Sequence, residues 1–118
     1  IAKTLTRDCY LGFLKESAAI VGNSSSGIIE AGYFHTPAVN IGGRQKGREC
    51  GKNVIHVGYD EKKITDALKK ALSPSFKQIA TSARHPYGSG NASKKIVRAL
   101  EELNIIDALF YKRFILRG

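Results

Sequence analysis

Long apolar runs are missing from this sequence, and none approaches the length that a bilayer-spanning helix requires. Nor does a charged-then-apolar leader follow Ile1. These absences predict a soluble, cytoplasmic protein. The chain also opens without methionine, and its 118 residues are few for a complete α/β nucleotide enzyme, so one compact unit or part of a larger protein is expected. Cysteine is scarce: Cys9 and Cys50 stand far apart and form no Cys-x-x-Cys pair. They point neither to a zinc site nor to a disulfide framework, and both read as reduced thiols. Repeats and low-complexity linkers are absent. His35, His56 and His85 each lack a carboxylate at short spacing, so structural roles are expected for all three and no acid–base set is read from them.

What is present is an ordinary globular balance, 42% hydrophobic and 25% charged, which excludes a disordered or fibrous chain. A formal charge of +9 suits nucleic acid, an anionic surface or a phosphorylated small molecule. The basic residues Lys62, Lys63, Lys69, Lys70, Lys94, Lys95 and Arg98 are spread over helical segments as on solvated faces. No nucleic-acid motif or aromatic platform accompanies them, so nucleic acid is not the expected partner.

Apolar spacing predicts a helix from Thr6 to Ser17 through Tyr10, Leu11, Phe13 and Leu14, capped by Thr6 or Asp8. A strand over Ala18–Val21 stops at GNSSSG, a short helix over Gly27–Phe34 closes before Thr36-Pro37, and Ala38–Ile41 is a second strand. That strand runs into the loop GGRQKGRECG, and Asn53–Val57 reads as a third strand. Asp60 caps a helix with Ile64, Ala67, Leu68, Ala71 and Leu72 on one face, ended by Ser73-Pro74 and followed by a less regular stretch to Ala83. After RHPYGSG, Asn91 caps a helix expected to be buried through Ile96, Val97, Leu100 and Leu103. Strands alternating with helices, and too apolar for a wet face, predict an α/β fold: part of a Rossmann-like, three-layer α/β/α domain with a short parallel sheet.

Ligands of such sheets bind beyond the carboxyl ends of the strands. The first strand delivers Gly22-Asn23-Ser24-Ser25-Ser26-Gly27 there, where small residues admit a phosphate and three hydroxyls can donate to it. A serine N-cap in a tight turn explains the same letters. Glu30 falls one turn later, and a carboxylate there accepts two hydrogen bonds from a ribose diol; dipole compensation in the first helical turn is the alternative. The second strand delivers Arg44 after two glycines, with a planar fork suited to a diphosphate, whereas Lys46 and Arg48 read as solvated loop charges.

The stretch FLKESAAIVGNSSSGIIEAGYFHTPAVNIGGRQKGRE, followed by NVIHV and HPYGSGNASKKIV, resembles the C-terminal part of hydrolysing UDP-N-acetylglucosamine 2-epimerases over about Thr6 to Leu103. Non-hydrolysing relatives carry a loop nearer DSGGIQEE and a later TERPE, from which this sequence departs. The resemblance implies the C-terminal part of a two-domain, glycosyltransferase-B-like fold that holds UDP. Ser24, Ser25, Ser26 and Gly27 would then line the diphosphate site, Glu30 would hold the ribose hydroxyls and Arg44 the phosphate region. In such enzymes UDP is eliminated to a glycal, and water adds to give N-acetylmannosamine for sialic or related nonulosonic acid synthesis. The family's catalytic carboxylates and histidine lie on upstream segments, so no catalytic residue is carried over; no cofactor or metal is implied.

The implied partners are UDP-N-acetylglucosamine or a related nucleotide sugar, an N-terminal domain and further copies in a homo-oligomer. Residues 1–103 are read as the nucleotide-sugar-binding domain and 104–118 as a tail or packing helix, with a basic membrane-surface helix as the lesser alternative. Ser89 stands where the family often has an acidic or amide residue, and the region around Arg7 and Tyr10 is the candidate for base recognition. Two other functions compete: the donor-binding half of a glycosyltransferase-B-type transferase, and a stand-alone nucleotide-binding module.

Overall fold

A computed structural model describes residues 4–88 and 90–103. The expectations placed on Ser89 and on the tail 104–118 lie outside the described residues. The chain divides between Tyr87 and Gly88 into two units. The first carries helix α1 (Arg7–Glu16), strand β1 (Ile20–Gly22), a 3-10 turn (Ser25–Gly27), helix α2 (Glu30–Tyr33), strands β2 (Ala38–Ile41) and β3 (Val54–Val57), and helices α3 (Glu61–Ala71) and α4 (Pro74–Ser82). The second carries helix α5 (Ala92–Glu101).

The three strands form a parallel sheet in the order β1-β2-β3. β2 is central, and its alternation explains the layers. Ala38 packs on one face with Leu14 of α1 and Ala31 of α2, while Val39 packs on the other with Ala67 and Ala71 of α3 and Phe76 of α4. Both faces of β2 are thus covered, which is why the strand sequence has no wet side. The expected α/β/α arrangement is what forms.

Local signals act where the sequence puts them. The Thr6 hydroxyl accepts from the Cys9 N–H at 3.4 Å, and Asp60 Oδ1 accepts from the Lys63 N–H at 2.8 Å, each satisfying an otherwise unpaired N–H of a first turn. Several expectations are corrected. Pro74 does not lead into an irregular stretch; it opens α4, because a proline at the first helical position lacks only an N–H that would be unpaired there, and the Ser73 hydroxyl caps the Phe76 N–H at 3.3 Å. The helix expected over 27–34 is broken into the 3-10 turn and the short α2, since the Ile28 and Ile29 amides both donate to the Ser25 carbonyl. Leu72, expected on the buried face of its helix, is exposed, and so is Phe13. So are Ile96, Val97, Leu100 and Leu103, although the first three share an amphipathic helix; periodicity marks an apolar face without guaranteeing that something covers it.

The end of α2 is unusual. His35 takes a left-handed conformation, φ 58°, with its N–H on the Gly32 carbonyl at 3.3 Å and the Thr36 N–H on the Ala31 carbonyl at 2.9 Å. This is a Schellman cap with histidine where glycine usually stands. The ring repays part of that strain through a hydrogen bond between Nδ1 and the Ala80 carbonyl at 3.2 Å, fastening α2 to α4.

Candidate functional site

Parallel pairing fixes what meets at the carboxyl edge of the sheet. Gly22 stands beside Asn40 and Asn40 beside His56, so the serine loop leaving β1 and the glycine-rich loop leaving β2 start side by side. The second loop is two overlapping turns, with the Lys46 N–H on the Gly43 carbonyl at 3.0 Å and the Arg48 N–H on the Gln45 carbonyl at 3.2 Å. Its entry needs glycine: Gly42 has φ 77°, and a Cβ there would run into the Tyr59 phenol.

These turns send neighbouring side chains in opposite directions. Arg44 is exposed, while Gln45 is 4% exposed and its Nε2 donates to the Asn23 carbonyl at 2.7 Å. That bond ties the arginine loop to the serine loop. Sequence reading missed Gln45, because its signal is a contact 22 residues away rather than a local pattern.

The serines do not act alike. The Ser24 hydroxyl accepts from the Ser26 N–H at 3.3 Å, so the capping reading holds for it, yet Ser24 remains exposed. Ser25 is half-buried. Ser26 is buried, and its hydroxyl is hydrogen-bonded to the Tyr10 phenol, so the expected phosphate contact from this side chain meets a hydroxyl already engaged. The same bond turns Tyr10 towards the serine turn rather than leaving its phenol free for a base. Gly27 closes the turn and lines, with Gly22, Ser24 and Asn40, a hollow of about 20 Å³, room for about one water. The hollow is too small to hold a nucleotide. Glu30 opens α2, half-buried, and its carboxylate has no hydrogen-bond or ion-pair partner among the described residues.

The histidines take three different places. His35 fastens the α2 cap. His56 Nδ1 lies 3.1 Å from Asn40 Nδ2 and its Nε2 3.4 Å from Cys50 Sγ. His85 packs against Gly32 between the rings of Tyr33 and Tyr87, where burial and the neighbouring His35 hold its imidazole below the usual histidine range. Among the described residues no cluster of three or more His, Cys, Asp or Glu side chains could hold a metal, and no helix is long and apolar enough to cross a membrane.

Comparison with known proteins adds the ancestry of this edge. A family model described as UDP-N-acetylglucosamine 2-epimerase matches residues 1–101. The chain is 39% identical to the GDP/UDP-N,N'-diacetylbacillosamine 2-epimerase (hydrolyzing) of Campylobacter jejuni, over 90% of this chain and 27% of that protein. It is 35% identical to the UDP-N,N'-diacetylbacillosamine 2-epimerase (hydrolyzing) of Legionella pneumophila, over 95% and 29% respectively. A UDP-N-acetylglucosamine 2-epimerase of Neisseria meningitidis is 44% identical over 54% of this chain and 17% of its own length. The chain thus spans less than a third of each of these relatives.

Proposed function

The chain belongs to the UDP-N-acetylglucosamine 2-epimerase family, and from that premise we propose that it is the UDP-gripping segment of a hydrolysing epimerase acting on UDP-N-acetylglucosamine or a related nucleotide sugar. The observation that carries this reading is the 2.7 Å bond from Gln45 to the Asn23 carbonyl, which holds a small-residue loop and an arginine-bearing loop together at the carboxyl edge of a parallel sheet. On this edge the Ser24 and Ser25 hydroxyls donate to the diphosphate, and Gly27 lets it approach the backbone. Arg44 closes on the same phosphates with its paired N–H groups. Ser26 supports the turn through Tyr10. The Glu30 carboxylate accepts from the ribose diol, which would give this half-buried anion the partners it lacks among the described residues.

Gripping the UDP half leaves the sugar free to react against chain lying outside this segment, in the manner of a glycosyltransferase-B-like pair of domains. There a base and an acid eliminate UDP to a glycal, and water adds to release a 2-epimerised free sugar, N-acetylmannosamine in the simplest case. Sialic or related nonulosonic acid synthesis is the destination that fits such a product.

Calorimetry of UDP binding to the full-length protein tests the grip. Arg44→Ala is expected to weaken binding by about 1.5–3 kcal/mol, the range of a charge-assisted hydrogen bond, whereas Lys46→Ala costs at most about 1 kcal/mol, as for a mobile surface charge. An equal or larger loss at Lys46 would mean that the loop binds in another register.

A further inference from the structure

One cluster of reactive groups remains outside the proposed nucleotide contacts. Cys50 ends the arginine loop, and its Sγ lies 3.4 Å from Nε2 of His56. The pairing of Asn40 with His56 across β2 and β3 brings the Asn40 amide to 3.1 Å from the other ring nitrogen. Asn40 is 5% exposed, and its Oδ1 is buried with no hydrogen-bond partner. The same Nδ2 donates to the Gly42 carbonyl at 3.4 Å, which holds the amide with its nitrogen towards the imidazole. Asn40 Nδ2–H thus donates to Nδ1 of His56, which leaves Nε2–H facing the sulfur. The ring thus presents a donor to the sulfur.

Cys50 also has somewhere to receive a molecule. It lines an open groove of about 560 Å³ with Glu49, Lys52, Ser82 and Arg84, where two cations outnumber one carboxylate. We propose that Cys50 is a thiol–disulfide exchange site for a small anionic disulfide, with His56 donating to its sulfur and Asn40 positioning the ring. The sulfur of Cys50 attacks one sulfur of the disulfide; a new S–S bond forms, the old one breaks, and the second thiolate leaves with the electron pair. Cys50 is oxidised and the leaving sulfur reduced. The thiol proton leaves to water, and the departing thiolate takes one up from water, while Nε2–H of His56 donates to the attacking sulfur.

Cys9 supplies an internal control, because it is exposed and no described side chain is bonded to its sulfur, whereas Cys50 is only half-buried to solvent's reach. Accessibility alone ranks Cys9 first; the cluster ranks Cys50 first. In the full-length protein, labelling with the dianionic dithiobis(nitrobenzoate) and the neutral dithiodipyridine, resolved by peptide mass mapping, compares the two. Cys50 is expected to react on the order of tenfold faster than Cys9 with the dianion, and His56→Gln to remove that lead. Lys52→Gln with Arg84→Gln is expected to abolish the preference of Cys50 for the dianion over the neutral reagent, measured relative to Cys9. A wild-type Cys50 no faster than Cys9, or a rate unmoved in a folded His56→Gln variant, overturns the site. Absence of any preference for the dianion in the wild type overturns the anionic class of ligand.

Discussion

Gln45 and Glu30 represent opposite ways in which a single residue can be read. Glu30 was a candidate in the sequence because its distance from the serine loop is short and its chemistry is distinctive. Gln45 was not, since an amide in a polar loop carries no signature until its partner, the Asn23 carbonyl, is folded against it. Gln45→Leu keeps the bulk but leaves that carbonyl unpaired, so a loss of about 1–3 kcal/mol in stability is expected by thermal or denaturant unfolding. UDP binding should weaken as well, because Arg44 then loses its fixed relation to Ser24. A variant that unfolds as wild type and binds as wild type would remove Gln45 from the site. For Glu30 a cycle of protein and ligand is decisive: Glu30→Gln and a UDP analogue lacking both ribose hydroxyls should each cost about 1–3 kcal/mol, with little further loss when combined. Full additivity of the two losses would leave Glu30 as a charge serving only the first turn of α2.

Elements were read well where one local rule was enough. Thr6 and Asp60 cap the helices expected of them, and β2 runs from Ala38 to Ile41 as its apolar letters suggest. Failures came where two rules met. Ser73-Pro74 both ends α3 and begins α4, and the stop was read without the start. The serine turn and α2 look like one helix in the sequence because nothing local says that the Ser25 carbonyl takes two amides. The end of α2 gives the sharpest element-level expectation. His35→Gly relieves the left-handed backbone but loses the bond to Ala80 and loosens the unfolded chain, so these effects should nearly cancel, within about 1 kcal/mol. His35→Val keeps the backbone demand, adds a β-branched side chain and cannot bond Ala80, and should cost about 1–3 kcal/mol. Melting of the two variants against wild type measures the difference; a His35→Val protein as stable as His35→Gly would show that the cap is not held in the left-handed form.

At the scale of the whole molecule, the proposed function separates a nucleotide-binding edge from the chemistry. The first unit has three parallel strands with both faces of the central one covered, sufficient to hold two loops in register. What it brings to those loops is donors, the half-buried Glu30 carboxylate and small residues. Among the described residues no histidine sits with a carboxylate in a hydrogen bond or ion pair: His35 is on the Ala80 carbonyl, His56 between Asn40 and Cys50, and His85 against Gly32. Elimination at a sugar ring needs a positioned base for a carbon-bound proton and an acid or electrostatic partner for the leaving group. The relatives, more than three times as long as the stretch they share with this chain, have room for those groups elsewhere. The chain by itself should therefore bind UDP weakly and turn over nothing: incubated with UDP-N-acetylglucosamine, it should release no UDP above the uncatalysed background in a coupled assay. The full-length protein should release UDP and a free 2-epimerised sugar together, in equal amounts. Steady turnover by the isolated chain, lost in Glu30→Gln, would instead place the chemistry on this edge and make Glu30 its base.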